Sequence, residues 1–457
     1  MLIKRTTIGL VALLLAACSV STPTPEPTAT SQPTSTPMPE VTAAITPEPS
    51  ATFTAAVTPQ PTALHTPTPS HTPRRPTGQP TNEPTSEPSD HPTSPPAAPR
   101  AIGDATPKPP PESGSCGYYP CNDDIAGWVN RIQAPPGFKV SHVARAPNGE
   151  HITSITHGPD GRLFASTMEG NVYVFDAAGN PSLYTSGFNL PIGLAFRPGT
   201  SDLYVASRTF APDAVPNEGK VTIVRPDGSK QDIVTGLPCC YTAIEHQPNS
   251  IAFGPDGKVY LSIGARADHG EEPGKPDVPA TLTPYEAGIL RFNPDGSGLE
   301  RYAVGLRNPY DLAFDASGRL FATDNGPDYG PPERLHHIVQ GGHYGYPYYD
   351  CDICQNAPPD LVITPPIAQF IPHGAITGIT AYTANAFPSN YYNDLFVVLW
   401  SAFPGAQKVV RVSTFPTAVS DFALGFASPI DVTQSPDGAL LVADWATGHI
   451  FKIAYIP

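Results

Sequence analysis

The most constraining feature of this sequence is a strand, tight turn and second strand that recur six times. The turn is usually Pro-Asp-Gly or a relative of it, and the second strand is rich in Leu, Tyr, Phe and Val. Most copies continue into a third strand and an outer strand, with no convincing helix between them. The pattern predicts an all-β fold, a six-bladed β-propeller with four-stranded antiparallel blades; a jelly roll or sandwich is the alternative. The copies occupy residues 152–166, 192–207, 249–264, 310–324, 379–399 and 431–444.

The two ends of the repeat region predict how the ring closes. The last copy supplies three strands before the chain reaches Pro457, whereas 138–144 (FKVSHVA) precedes the first copy without strands of its own. We expect 138–144 to complete the last blade as its outer strand, because that pairing leaves no sheet edge bare. Residues 113–137 would wrap around the outside, and the propeller domain spans 113–457.

A Pro/Thr/Ser-rich stretch precedes the repeats. Of the 60 prolines, 25 lie in residues 19–112, which contain almost no aromatic residues. Such a composition cannot bury enough apolar surface to offset the entropy of ordering the chain. Residues 18–112 are therefore predicted to form a disordered, extended linker.

The first residues predict export. Lys4 and Arg5 precede an apolar run at 8–17 that is short for a membrane span, and the run ends in Leu-Ala-Ala-Cys18. This resembles a bacterial lipobox, in which cleavage before the Cys leaves it as the lipid-bearing N-terminus; the alternative is an ordinary secretory signal. We expect 1–17 to be a signal peptide and Cys18 to be lipidated. The protein would be held at the outer face of the cell membrane, at the cell surface or in the periplasm, by its lipid alone.

The remaining cysteines agree with export. Six remain besides Cys18, and an even number in an oxidising compartment indicates disulfides. Spacing favours pairing of Cys116 with Cys121 and of Cys351 with Cys354. The adjacent Cys239 and Cys240 either bond to each other or pair elsewhere. A zinc site at the last pair is less favoured, because no second pair of ligands completes it. The six are Cys116, Cys121, Cys239, Cys240, Cys351 and Cys354.

The charge balance argues against one class of partner. The chain has 26 Lys+Arg against 41 Asp+Glu, a formal net charge of −15 with His neutral. Binding to nucleic acid phosphates or to an anionic membrane surface needs an excess of cations. We therefore expect no nucleic acid partner.

Propeller topology places three polar clusters on one face. The tight turns lie at one end of the blades, while the long loops, which join second to third strands and blade to blade, lie at the other end. His246 precedes one inner strand, Arg307-Asn308 holds the equivalent place in the next blade, and residues 325–327 (Asn-Gly-Pro) follow that blade's second strand. These clusters offer an imidazole, a fixed cation with an amide, and a bend that exposes carbonyl oxygens to a hard cation.

The motifs around these clusters resemble those of the soluble glucose and sorbosone dehydrogenases. The matching segments are His-Gln at 246–247 with GPDGKVY at 254–260, RNP at 307–309 with LAF at 312–314, and NGP at 325–327 followed by GGHYGYP at 341–347. The resemblance implies a six-bladed propeller that oxidises a sugar, an aldose or sorbosone-like compound, with pyrroloquinoline quinone (PQQ) and calcium, and passes electrons to an acceptor.

The resemblance also implies roles for individual residues. His246 would be the general base that takes the proton from the sugar hydroxyl as hydride passes to the quinone. Arg307 would stabilise charge on the quinone oxygen and contact the cofactor together with Asn308. Glu245, which replaces an Asp of the family, would be a further cofactor-binding residue. The carbonyls of Gly326 and Pro327 would ligate the calcium.

The sequence departs from the family at the anchors for the cofactor's carboxylates. A Gln, a Lys and an Arg pair of the glucose enzymes fall here at Phe188, Ser401, Ser428 and Ile430. Two alternatives to the dehydrogenase therefore stay open. One is a non-catalytic cell-surface propeller that binds glycan or protein. The other is a calcium-dependent propeller lactonase, which would need side-chain carboxylates around its metal.

Overall fold

The structure is a computed structural model, and it describes most of the chain from residue 116 onward. The described residues are 116–210, 217–240, 246–272, 275–279, 281–328, 330–348, 355–414 and 416–457. The predicted signal peptide, lipidation site and linker lie outside them, as do Glu245, Cys351 and Cys354. No helix in the described part is long and apolar enough to cross a membrane.

Six four-stranded antiparallel sheets form the described fold, which confirms the predicted propeller. One helix, α1 (Ile125–Arg131), and one strand, β1 (Phe138–Arg145), precede the first blade. Blade 1 contains β2 (Ile152–His157), β3 (Leu163–Thr167), β4 (Val172–Phe175) and β5 (Pro181–Thr185). Blade 2 contains β6 (Asn189–Phe196), β7 (Leu203–Arg208), β8 (Gly219–Val224) and β9 (Lys230–Leu237).

The central blades carry the candidate site. Blade 3 contains β10 (Pro248–Phe253), β11 (Val259–Ile263), β14 (Gly288–Phe292) and β15 (Glu300–Val304), with a ribbon of β12 (Glu271–Glu272) and β13 (Lys275–Pro279) inserted. Blade 4 contains β16 (Asn308–Phe314), β17 (Leu320–Asn325), β18 (Glu333–Ile338) and β19 (Ala368–Phe370).

Two blades complete the ring. Blade 5 contains β20 (Ile376–Ala381), β21 (Leu395–Leu399), β22 (Lys408–Thr414) and β23 (Thr417–Leu424). Blade 6 contains β24 (Pro429–Gln434), β25 (Leu440–Asp444) and β26 (His449–Tyr455), and β1 is its outer strand. Phe138 pairs with Tyr455, and Val140 pairs with Ile453. The closure predicted from the chain ends is thus confirmed.

The tight turns owe their shape to Asp and Gly. In blade 3, Gly257 has φ of 75°, and the Asp256 carboxylate accepts the Lys258 backbone N–H at 3.1 Å. The same Asp-to-backbone bond recurs at Asp227 with Ser229. A positive φ suits Gly, and the Asp side chain satisfies a turn N–H, so both residues specify the hairpin locally.

The segment before β1 packs on the outside of the ring, as expected, but it contains an unpredicted helix. Trp128 of α1 is buried against Phe422, Phe426 and Phe451 of blades 5 and 6. The helix begins after Asp124, whose carboxylate accepts the Gly127 N–H at 2.8 Å as an N-cap. The disulfide favoured for Cys116 with Cys121 is present, and of the two alternatives for the adjacent Cys239 and Cys240 the structure has the bond between them.

The inner strands line a central channel. A cavity of about 250 Å³ lies within it, lined by residues that include Ser154, Ser250, Asp311, Ile379 and Asp431. These residues come from the middle and the tight-turn end of the inner strands. His246, Arg307 and Asn308 are not among the lining residues, so the cavity is distinct from the candidate site.

Candidate functional site

The structure places the predicted site residues at one end of blades 3 and 4. His246 precedes β10, Arg307 precedes β16, Asn308 begins β16, and Gly326 and Pro327 follow β17. Inner strands start and second strands end on this face, so these residues meet at the channel mouth. The predicted convergence of the three clusters is therefore found in the structure.

His246 is completely buried and held in a single orientation. Its Nδ1 lies 2.7 Å from the carbonyl oxygen of Ala265, which can only accept, so Nδ1 carries the proton and the neutral ring has its lone pair on Nε2. Burial, followed by the nearby Arg307 charge, lowers the pKa of His246 well below the usual value of 6.5. The backbone of His246 has φ of 54°, a conformation that non-Gly residues adopt rarely and that concentrates at functional sites.

Gly264 allows the backbone of His246 and the side chain of Asn308 to approach each other. A Cβ at Gly264 would lie 2.7 Å from the His246 Cα and 2.8 Å from the Asn308 Oδ1, closer than real Cβ atoms come. The same Oδ1 accepts a hydrogen bond from Asn249 Nδ2 at 2.9 Å, and the Asn308 N–H donates to Asp324 at 2.9 Å. The Asn308 side chain is therefore fixed relative to the imidazole.

Arg307 is a buried cation whose charge is balanced inside the protein. Its guanidinium forms an ion pair with the buried Asp268 carboxylate and donates to the Asn325 carbonyl at 3.4 Å. Asp268 also accepts the Asp328 N–H at 3.2 Å. The cation thus links the loop after β11 to the Gly-Pro turn, and a buried ion pair of this kind depends on both partners being present.

The Gly326-Pro327 turn is surrounded by oxygen atoms. The Gly326 N–H donates to Glu333 Oε2 at 2.7 Å, and a Cβ at Gly326 would lie 3.0 Å from the Pro331 carbonyl oxygen. Burial raises the pKa of Glu333 to about 7. Hard cations such as calcium take oxygen ligands, backbone carbonyls included. Of the two carbonyls predicted as ligands, that of Pro327 accepts the Gly330 N–H at 3.0 Å. Clusters of three His, Cys, Asp or Glu side chains able to hold a metal are absent from the described residues.

Three buried polar atoms near this face also point to a polar ligand. Ser207 Oγ, Gln247 Oε1 and Thr377 Oγ1 have no hydrogen-bond partner within the described part of the chain. Ser207 lies near the end of β7, Gln247 just before β10, and Thr377 near the start of β20, and all three positions are towards the long-loop face. Because unsatisfied buried polar groups are costly, water or a polar molecule is expected to contact them. This face therefore offers hydrogen-bonding atoms to a polar ligand.

The four positions where the family would bind the cofactor's carboxylates hold uncharged residues here. Phe188 is buried, with the Lys230 ammonium 4.5 Å from its ring centre, and Ile430 is buried. Ser401 bonds to the His373 carbonyl, and the Ser428 carbonyl accepts the Trp445 N–H at 2.8 Å. The cofactor's carboxylates would thus lack the Gln, Lys and Arg partners that the resemblance implies at these four positions.

Sequence reasoning missed several residues that position the site. Asp324 and Glu333 bond to predicted residues although no role was predicted for either. Gly264, at the end of the His246 motif, and Asp268, in an acidic loop, were not predicted to position the site. Asp324 immediately precedes the Asn-Gly-Pro segment, so its position could have drawn attention. His336 and His337 alternate along β18, and the first is fully buried while the second is partly exposed.

The described residues thus form a closed propeller with a buried imidazole and a buried cation at its channel mouth. The glucose/sorbosone dehydrogenase family model matches residues 230–452, a little under half of the chain. The resemblance first indicated by the motifs is therefore confirmed over blades 3 to 6.

Individual relatives agree with this family. The quinoprotein glucose dehydrogenase B of Acinetobacter calcoaceticus is 27% identical over 223 residues, which cover 43% of this chain and 42% of that protein. The PQQ-bound aldose sugar dehydrogenase of Streptomyces coelicolor superimposes with a TM-score of 0.52 at 20% identity, covering 70% of this chain and 99% of that one. The apo-form soluble aldose sugar dehydrogenase of Escherichia coli superimposes with a TM-score of 0.56 at 17% sequence identity, covering 70% of this chain and 99% of that one. The two solved structures establish the shared fold.

Proposed function

We propose that this protein is an exported sugar dehydrogenase that uses PQQ and calcium. The observation that supports the proposal most directly is the buried, neutral His246, fixed by Ala265 and lying close to the Arg307 charge. A neutral imidazole with a defined basic nitrogen is what removal of a hydroxyl proton requires. Substrate, cofactor and location are parts of the proposal.

Each site residue has a distinct task in the proposed reaction. His246 Nε2 takes the proton of the sugar hydroxyl as the adjacent C–H bond breaks and a carbonyl forms. Arg307 and Asn308 hold the edge of the cofactor, and the carbonyls of Gly326 and Pro327 hold calcium. When bound, the quinone would accept the hydride, and the calcium would polarise the quinone. Asp268 keeps Arg307 in place, and Asp324 does the same for Asn308.

The proposed location is the outer face of the cell membrane. It rests on the charged and apolar residues at 1–17, on Cys18 as the lipidation site, and on the disulfides in the described region, which are typical of oxidising compartments. An electron acceptor outside the cell would then receive the electrons from the reduced cofactor.

The neutral residues at the anchor positions favour one alternative, a propeller that binds glycans without catalysis. Binding of PQQ to the full-length protein separates the two functions. Calorimetry in calcium should give a dissociation constant on the order of micromolar or tighter, and a chelator should weaken it. Absence of binding in calcium would contradict the dehydrogenase proposal.

Replacement of the base tests the catalytic role. His246→Ala should lower sugar-dependent dye reduction by roughly 100-fold or more, since general bases typically contribute that much. His157→Ala is the control, because His157, like His246, has a lowered pKa, but it is only partly buried and lies at the tight-turn end of β2. Unchanged turnover in His246→Ala would show that the base is another group.

A further inference from the structure

Three aromatic side chains cluster on the long-loop face of blades 5, 6 and 1. Trp400 follows β21, Trp445 follows β25, and His151 precedes β2. The Trp445 ring centre lies 4.6 Å from that of His151, at an interplanar angle of 35°, and 5.7 Å from that of Trp400 at 77°. We name His151, Trp400 and Trp445 the aromatic platform. In a ring of six blades, Trp445 of blade 6 lies opposite His246 of blade 3, and His151 of blade 1 lies opposite Arg307 of blade 4.

The platform has a polar rim. Glu169 accepts the His151 backbone N–H at 3.1 Å, and its other oxygen lies 2.9 Å from His151 Nδ1. Both side chains are 37% exposed, so they can also bond to a ligand. The indole Nε1 of Trp400 is buried, and no acceptor for it exists among the described residues. A carboxylate, an imidazole and an indole N–H therefore surround partly exposed rings.

The platform stands beside the positions where cationic anchors are absent. Trp400 is the neighbour of Ser401 in the chain, and the Trp445 N–H donates to the Ser428 carbonyl at 2.8 Å. Backbone bonds from Trp400 to Ala375 and from Trp445 to Ser428 fix both residues to the ends of their strands. This side of the mouth thus offers aromatic faces and hydrogen-bonding groups rather than positive charge, which suits a neutral ligand rich in hydroxyls.

We propose that the aromatic platform binds a sugar ring of an oligosaccharide whose terminal ring reaches His246. The C–H face of a pyranose is slightly positive and packs on the negative face of an aromatic ring, while its hydroxyls bond to carboxylate, imidazole and indole groups. Because Trp445 of blade 6 and His246 of blade 3 belong to opposite blades of the ring, we expect a substrate of more than one sugar ring to contact both. The inference rests on the proposed function for its link to oxidation and specifies that the substrate is an oligosaccharide.

The chain contains only three tryptophans, which makes intrinsic fluorescence a suitable measurement. Trp128 is buried at α1, so a change on sugar addition reports on Trp400 and Trp445. The full-length protein, without PQQ or calcium, is titrated with cellotetraose, maltotetraose and glucose. We expect at least one tetrasaccharide to change the emission saturably and to bind roughly tenfold more tightly than glucose. Equal affinity for glucose and both tetrasaccharides would overturn the proposal.

Variants separate the platform from the rest of the surface. Calorimetry measures tetrasaccharide binding. Trp445→Ala should weaken this binding roughly tenfold. Glu169→Gln should weaken it roughly fivefold while leaving the aromatic rings intact. Tyr392→Ala is the matched control, because this exposed aromatic residue lies in the tight-turn end of blade 5. If Trp445→Ala unfolds, Glu169→Gln decides alone, and unchanged binding in it would refute the platform.

The outcome is independent of the proposed reaction. Tetrasaccharide binding without any dye reduction would support the platform and refute the dehydrogenase. Dye reduction with glucose but no effect of Trp445→Ala or Glu169→Gln on tetrasaccharide binding or on its KM would support the dehydrogenase and refute the platform.

Discussion

At His246, burial and charge act in the same direction. The imidazole is enclosed by protein and lies near the Arg307 cation, and both effects disfavour its protonated form. The motif in the sequence indicated which histidine to choose. It did not indicate the tautomer, because that depends on the Ala265 carbonyl, nor the close packing at Gly264, because Asn308 comes from a different blade.

The pKa of His246 predicts the acid side of the pH profile. A base with a lowered pKa stays neutral to lower pH, so kcat/KM for dye reduction should begin to fall only well below pH 6.5. Arg307→Gln removes the neighbouring charge and should shift this fall to higher pH while also reducing the rate. Rate measurements between pH 4 and 8 test both effects; a fall centred at or above pH 6.5 in the unchanged protein contradicts the assignment.

At the scale of elements, the inner strands are joined through two buried carboxylates. Asp311 of β16 accepts from Ser250 of β10 and from the Ile379 N–H of β20. Asp431 of β24 accepts from Ser154 of β2 at 3.0 Å. Strand positions were predictable because each turn encodes its own hairpin. These bonds between blades were not, since they join residues 61 to 277 positions apart.

These carboxylates predict how stability depends on pH. Burial raises the pKa of Asp311 to about 6 and that of Asp431 to about 8, the latter also through the Asp311 charge; the phenol of Tyr310 lies near both. A carboxyl with a raised folded-state pKa stabilises the fold most below its unfolded pKa of ~4, and this contribution is lost as pH rises through the folded values.

The free energy of unfolding should therefore fall by roughly 5 kcal/mol between pH 5 and 9. Denaturant unfolding at several pH values measures it. Asp431→Asn should flatten most of the decline, whereas Asp437→Asn, at a carboxylate with a lowered pKa, should not. A decline of the same size in Asp431→Asn would mean that other groups cause it.

At the scale of the whole molecule, ring closure depends on two segments from opposite ends of the repeat region. Phe138 of β1 packs against Phe387, Phe422 and Tyr455. The sequence predicted this closure because the last repeat lacked one strand and a spare strand was present at the start. Helix α1 was not predicted, since seven residues carry too little periodicity to distinguish it from a loop.

Loss of the Phe138 contacts should destabilise the entire ring. Phe138→Ala should lower the free energy of unfolding by about 2 kcal/mol, less than for a fully buried Phe because the side chain is only partly buried. Phe196→Ala is the matched control, a partly buried Phe that contacts Phe164 of the neighbouring blade. Denaturant midpoints compare the variants; an equal or larger loss for Phe196→Ala would show that closure has no special weight.

The pairing of β1 with β26 also sets an order of events during synthesis. The ribosome makes β1 before any complete blade, yet its partner emerges more than 300 residues later. Until then β1 has an open hydrogen-bonding edge and Phe138 lacks much of its packing. A chain cut short before His449 would keep that edge exposed, so an incomplete copy carries an unpaired strand edge that a finished copy lacks.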